Sequence, residues 1–137
     1  MAFAYTYKTQ SSKNAYDFFL KLKEVVPFEI KNIQTDNGKE FLKDFQQGIK
    51  TLGITQFFNY PRCPKMNCFV ERFNRTIQES CINKYSSFLE NTNKFNNYLI
   101  DYLIWYNTER PHQSLQDVSP VVYLIQRYNF THFSKMY

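Results

Sequence analysis

Alternating and helical rhythms of apolar residues run through this chain, and each predicts its own kind of element. The opening "AFAYTY" alternates weakly and is rich in aromatics, which predicts a strand over the first residues. Ser11 or Ser12 then offers an N-cap, and Ala15, Phe18, Phe19, Leu22, Val25 and Val26 follow at helical spacing until Pro27. "FEIKNIQT" reads as a second strand, delivering Asp36 at its C-terminal end to an Asn-Gly turn. Phe41, Leu42, Phe45, Ile49 and Leu52 predict a helix that Gly53 closes. "ITQFFNY" reads as a third strand, and "PRCPKMN" as an irregular loop. A long helical stripe follows, carrying Phe69, Phe73, Ile77, Cys81, Tyr85 and Phe88. Another helix carries Phe95, Tyr98, Leu99, Tyr102, Leu103 and Tyr106 up to "YNTERPHQSL", and the tail predicts a short helix with a frayed end. Strand, helix, strand, helix, strand, helix, helix is an α/β order.

Composition narrows this to a packed chain of one domain. Its 137 residues are 43% hydrophobic and 19% aromatic, enough for a real core and against disorder. No apolar run is long enough to span a bilayer, and the start lacks a signal-peptide h-region, so the expectation is an intracellular, cytoplasmic protein without a membrane partner. A net charge of +5 favours polyanions, of which nucleic acid is the commonest in a cell, although charge also serves plain solubility. The three cysteines, Cys63, Cys68 and Cys81, form no even disulfide framework. Cys63 and Cys68 lack a downstream Cys/His pair for zinc, and Cys81 reads as a core residue.

The candidate chemistry is acidic residues in a basic neighbourhood. Opposite the aromatic stripe, Asn67, Glu71, Asn74, Arg75 and Gln78 recur at intervals of three or four. Glu71 is the acid among Arg62, Lys65, Arg72 and Arg75, a local field that attracts phosphates. Plain structural readings compete: an i, i+4 ion pair for Glu71–Arg75, and a turn-forming Asp before Asn-Gly for Asp36. Against them, Asp36 ends a strand, where open α/β sheets place ligands. Carboxylates converging there would hold Mg²⁺ or Mn²⁺, hard ions that favour oxygen donors and serve phosphodiester transfer in pairs.

At these residues a family resemblance becomes specific. "TDNGKEF", "GITQFFNYPRCPKMNCFVERFNRT" and "YNTERPHQSL" followed by "SP" resemble, in order, the catalytic core of retroviral integrases and of the bacterial insertion-sequence transposases that share it. The likeness runs from about residue 3 to 125, giving a core at 1–125 and a tail at 126–137. It implies a ribonuclease H-like mixed sheet flanked by helices, and DNA cleavage and joining by two divalent metals held by Asp, Asp and Glu. On that pattern Asp36 matches the second Asp and Glu71 the Glu. Asn67 matches a polar residue near the metals, while Asn74, Arg75 and Gln78 match positions that approach DNA. Tyr106, Asn107, Arg110, Pro111 and His112 match a closing motif with a structural role.

Three departures qualify the match. Asp36 and Glu71 are separated by 34 residues, one short of the family's usual spacing. Cys68 stands where the family has Gly. Nothing matches the first Asp: Asp17, Asp44, Asp101 and Asp117 fall on predicted helices or a late loop, and Glu40 lies past the strand. The sheet is therefore expected to lack its first two strands, with an open edge and exposed apolar surface. The leading expectation is a truncated transposase or integrase core, impaired in catalysis. The alternatives are a non-catalytic module that binds DNA, self-associates or pairs with a full-length transposase, and a decayed gene product.

Overall fold

The computed structural model describes residues 1–59, 68–84 and 90–128. They fall into two compact units: Tyr7–Arg72, and Met1–Thr6 together with the chain from Phe73 onward.

In the first unit, α1 (Ser12–Val25) begins where Ser11 Oγ accepts from the Asn14 N–H at 3.2 Å. It stops as Val26 turns extended ahead of Pro27, whose ring disfavours helix in the preceding residue. Asp17 on this helix pairs with Lys21 and accepts from the Tyr7 hydroxyl, and these two bonds hold its carboxyl below the usual carboxylate range. Next come β1 (Asn32–Thr35), α2 (Asp44–Thr51) and β2 (Thr55–Phe58). The strands pair in parallel with Asn32 opposite Thr55 and Thr35 opposite Phe58. A parallel pair needs a crossover, which α2 supplies. Gly53, at φ +71°, ends α2 in the left-handed conformation that suits glycine. Phe19, Phe45, Ile49 and Ile54 make the core, with Phe45 meeting Phe19 and Phe41 edge-on at 6.4 and 5.4 Å.

In the second unit, α3 (Cys68–Ile77, shared between the units) runs into a π turn at Gln78–Ile82. Helix α4 (Thr92–Thr108) is capped by Asn91 Oδ1, which accepts from the Lys94 N–H at 3.1 Å, and α5 (Pro120–Tyr128) follows. Ile77, Cys81, Phe95, Leu99 and Leu103 form the core, with Phe3, Ala4 and Phe73 packed on it. Burial pushes the Cys81 thiol up, with Lys84 opposing.

Leu42, Leu52 and Tyr98, assigned to apolar helix faces, are exposed, and two further expectations fail more fully. "AFAYTY" forms no strand: both described strands lie in the other unit, and the segment takes its bonds from α4 instead. Asn107 Oδ1 accepts from the Ala2 N–H and its Nδ2 donates to Ala2 O, both at 2.8 Å. Asn96 Oδ1 likewise accepts from the Thr6 N–H at 2.8 Å, while its Nδ2 donates to Thr6 O at 3.1 Å. Each carboxamide does for one residue what a strand partner would do. The second failure is Phe69, which the stripe assigns to the core yet is 84% exposed. The stripe packs into the α4 core from Phe73 on, and Phe69 lies a turn earlier in the other unit. Tyr85, Phe88, Cys63 and the frayed tail beyond 128 lie outside the described residues.

Candidate active site

Asp36 follows β1 directly, so the strand delivers it to the C-terminal end of the parallel pair. A polar network fixes that end. The Asn59 N–H donates to Thr35 O at 2.8 Å, and Gln34 Nε2 donates to Asn59 Oδ1. Gln56 Nε2 donates to Thr35 Oγ1 at 2.9 Å and to Phe41 O at 3.1 Å, and Asn37 Nδ2 donates to Asn59 O at 3.2 Å. Thr35 and Asn59 are buried, so these bonds replace lost water and hold the backbone on either side of Asp36. Sequence reading missed Gln56 and Asn59; their signal was a polar residue inside and just after an apolar strand.

Asp36 itself is exposed, and its Oδ1 accepts from the Gly38 N–H at 2.9 Å. That is the plain turn-forming role anticipated from Asp-Asn-Gly. Among the described residues Oδ2 takes no bond, which leaves a carboxylate oxygen open to solvent. The turn role and a ligand role therefore use different oxygens.

Glu71 stands exposed in the first turn of α3, where the helix dipole favours an acid. Among the described residues it makes no ion pair with Arg75, so the plain salt-bridge reading does not account for it. Asn74 and Arg75 are exposed on the same helix, with Arg72 beside them. Gln78 opens the π turn, where its Nε2 donates to Asn83 Oδ1 at 3.1 Å. Arg62, Lys65 and Asn67 lie outside the described residues. In the closing motif the Tyr106 ring meets Phe73 at 5.5 Å and His112 at 4.7 Å, and Arg110 lies over it at 5.0 Å.

As a metal site this donor set is right in kind and short in number. Exposed carboxylate oxygens suit a hard divalent cation. Among the described residues, however, no three His, Cys, Asp or Glu side chains gather as a metal cage, and two ions need more ligands than Asp36 and Glu71 offer. No two-metal step follows for these residues alone.

The fold is mixed α/β and similar to integrase catalytic cores, which are of the ribonuclease H-like kind. The family model described as "Integrase core domain" matches residues 52–120, half of the chain, and the chain belongs to that family. The match includes Glu71, Asn74, Arg75, Gln78 and the closing motif, while Asp36 lies ahead of it. A putative integrase of Spiroplasma virus SpV1-C74 is 29% identical over 90% of this chain, and the chain spans 38% of that relative's length. The catalytic core domain of BIV integrase superposes with a TM-score of 0.66 at 20% identity, covering 92% of this chain and 79% of that one. A chain of the simian T-cell lymphotropic virus intasome, solved in complex with PP2A regulatory subunit B56 gamma, gives 0.60 at 24% identity, covering 77% and 37%. Among the described residues no helix is long and apolar enough to cross a membrane.

Proposed function

We propose that this chain is part of a DNA-integration core in which Asp36 and Glu71 are two of the metal-binding carboxylates, and that the 137 residues by themselves cleave DNA poorly. The observation that carries the reading is Glu71: an exposed acid in the first turn of α3, without an ion-pair partner among the described residues, inside the family-matched segment. Mg²⁺ or Mn²⁺ bound there would supply electrophilic assistance to phosphodiester cleavage. Asn67, Asn74, Arg75 and Gln78, with Arg62, Lys65 and Arg72, are the DNA-facing groups of this reading, the cations neutralising phosphates. The impairment rests on there being, among the described residues, no third acidic, His or Cys side chain gathered with these two.

A nicking assay on end-labelled duplex DNA, with Mg²⁺ and then Mn²⁺, tests it. The expected result is little or no nicking by the chain alone. Robust nicking abolished by Glu71→Gln would confirm the Glu71 role and overturn the impairment. Nicking that survives Glu71→Gln would overturn the assignment of Glu71.

A second reading gains from the apolar exposure: a module that pairs with itself or with a full-length transposase through Phe57, Phe69 and Val70, at 55%, 84% and 58% exposed.

A further inference from the structure

The second unit contains a groove of about 440 Å³ lined by residues that no part of the metal-site reading uses. Its walls include Ser80 from the π turn, Lys84 just after it, Tyr98, Asp101 and Trp105 from α4, and Arg110 beyond the end of α4. The volume falls within the range of about 300–1,000 Å³ usual for ligand sites. Here the π turn extends the end of α3 and helps to line the groove.

The lining chemistry is specific. Trp105 is 43% exposed, and its ring lies beside that of Tyr102, with centroids 5.6 Å apart. Among the described residues neither Lys84 nor Arg110 forms an ion pair, so both cations remain available. Arg110 is held by its stacking on Tyr106, which fixes its guanidinium at little entropic cost. Asp101 leaves the lining net positive and adds an acceptor. An exposed indole beside uncompensated cations is the combination that binds unpaired bases and their phosphates: stacking tolerates any base, and the cations take the backbone. An acidic peptide would use the cations but not the indole face. A duplex keeps its bases stacked internally and could offer only phosphates.

We propose that this groove binds unpaired nucleotides of a DNA or RNA strand, with the base on Trp105, a base amino group on Asp101 and phosphates on Lys84 and Arg110. The inference goes beyond the Asp36–Glu71 reading and needs neither metal nor cleavage.

Trp105 is the sole tryptophan of the chain, so its fluorescence reports on this groove alone. The test titrates the 137-residue chain, in EDTA and low salt, with a single strand of about 12 nucleotides, within the site sizes of about 4–16 found for such grooves. DNA and RNA strands of one sequence are used, together with the matching duplex. Either strand is expected to quench Trp105 saturably, and the duplex to do so at least about fivefold more weakly. By anisotropy of a labelled strand, Trp105→Ala is expected to weaken binding about tenfold while Trp105→Phe, which keeps a ring, retains most of it. Lys84→Gln should lower the salt slope by about 1. Circular dichroism of each variant is the control for folding.

Strand binding that leaves Trp105 fluorescence unchanged would overturn the proposal, as would equal quenching by duplex. So would a Trp105→Ala variant that binds the strand normally but changes the sedimenting mass, since the groove would then be a contact between copies. Because no metal is present and no cleavage is scored, absence of quenching leaves the Asp36–Glu71 reading standing, and a failed nicking assay leaves this one standing.

Discussion

Asn96 and Asn107 are 2% and 3% exposed, and each spends both ends of its carboxamide on one backbone residue of the N-terminal segment. A helix that buries asparagines normally incurs a desolvation cost, and here the cost is offset by satisfying donors and acceptors of Ala2 and Thr6. Asn107 Nδ2 also donates to Leu103 O at 2.8 Å, which ties the clamp to its own helix. Asn107→Ala is expected to destabilise the fold by about 1–3 kcal/mol, because it leaves part-buried backbone groups of Ala2 unpaired. Urea denaturation checks it, and a loss well under about 0.5 kcal/mol would show that water replaces the clamp. Asn107→Asp keeps the acceptor but loses the donor, so it should fall between wild type and Asn107→Ala. The same logic separates the turn role of Asp36, carried by Oδ1, from the proposed ligand role of Oδ2, which takes no bond among the described residues.

Helix–helix contact, rather than helix propensity, decides Gly48. It sits inside α2, where glycine costs about 1 kcal/mol relative to alanine. A Cβ there would lie 2.3 Å from the Tyr16 ring on α1, so the glycine is what lets the two helices approach. Gly48→Ala therefore sets the propensity gain against a steric clash, and overpacking of this kind costs about 1–3 kcal/mol. The expected outcome is net destabilisation in thermal melts. In the Tyr16→Ala background the same change should become neutral or stabilising, a coupling of about 0.5–3 kcal/mol typical of contacting residues. Additive effects would mean that Tyr16 swings aside freely. At this scale the sequence was read well where the cause is local. Ser11 caps α1, Pro27 ends it and Gly53 closes α2, because each acts through its own backbone. Phe69 was misread because helical spacing reports a face of the helix and not how far along it a partner reaches.

For the whole molecule, the sheet of two strands matters most. Each strand has one partner among the described residues, which leaves backbone edges available. Within the Tyr7–Arg72 unit, Phe57, Phe69 and Val70 are more than half exposed. Apolar exposure of this kind favours association. Sedimentation velocity at micromolar concentration is expected to give a mass above the 16.6 kDa monomer. Phe69→Ser with Val70→Ser should return it towards the monomer, while Trp105→Ala should not. A native chain that sediments as a monomer throughout would remove this expectation.

Local sequence fixes the order of helices and strands from α1 onward, the strand-end position of Asp36, the place of Glu71 on a helix and the family. All of these are carried by short-range periodicity, caps and ordered motifs. Only the tertiary structure decided that "AFAYTY" pairs with asparagines of α4 instead of a strand, because its partners lie 90 and 105 residues away. It also decided that Gln56 and Asn59 steady the strand ends, and that Lys84, Trp105 and Arg110 line one groove. Such contacts join residues remote in sequence or on different elements, and no local pattern of apolar and polar positions encodes them.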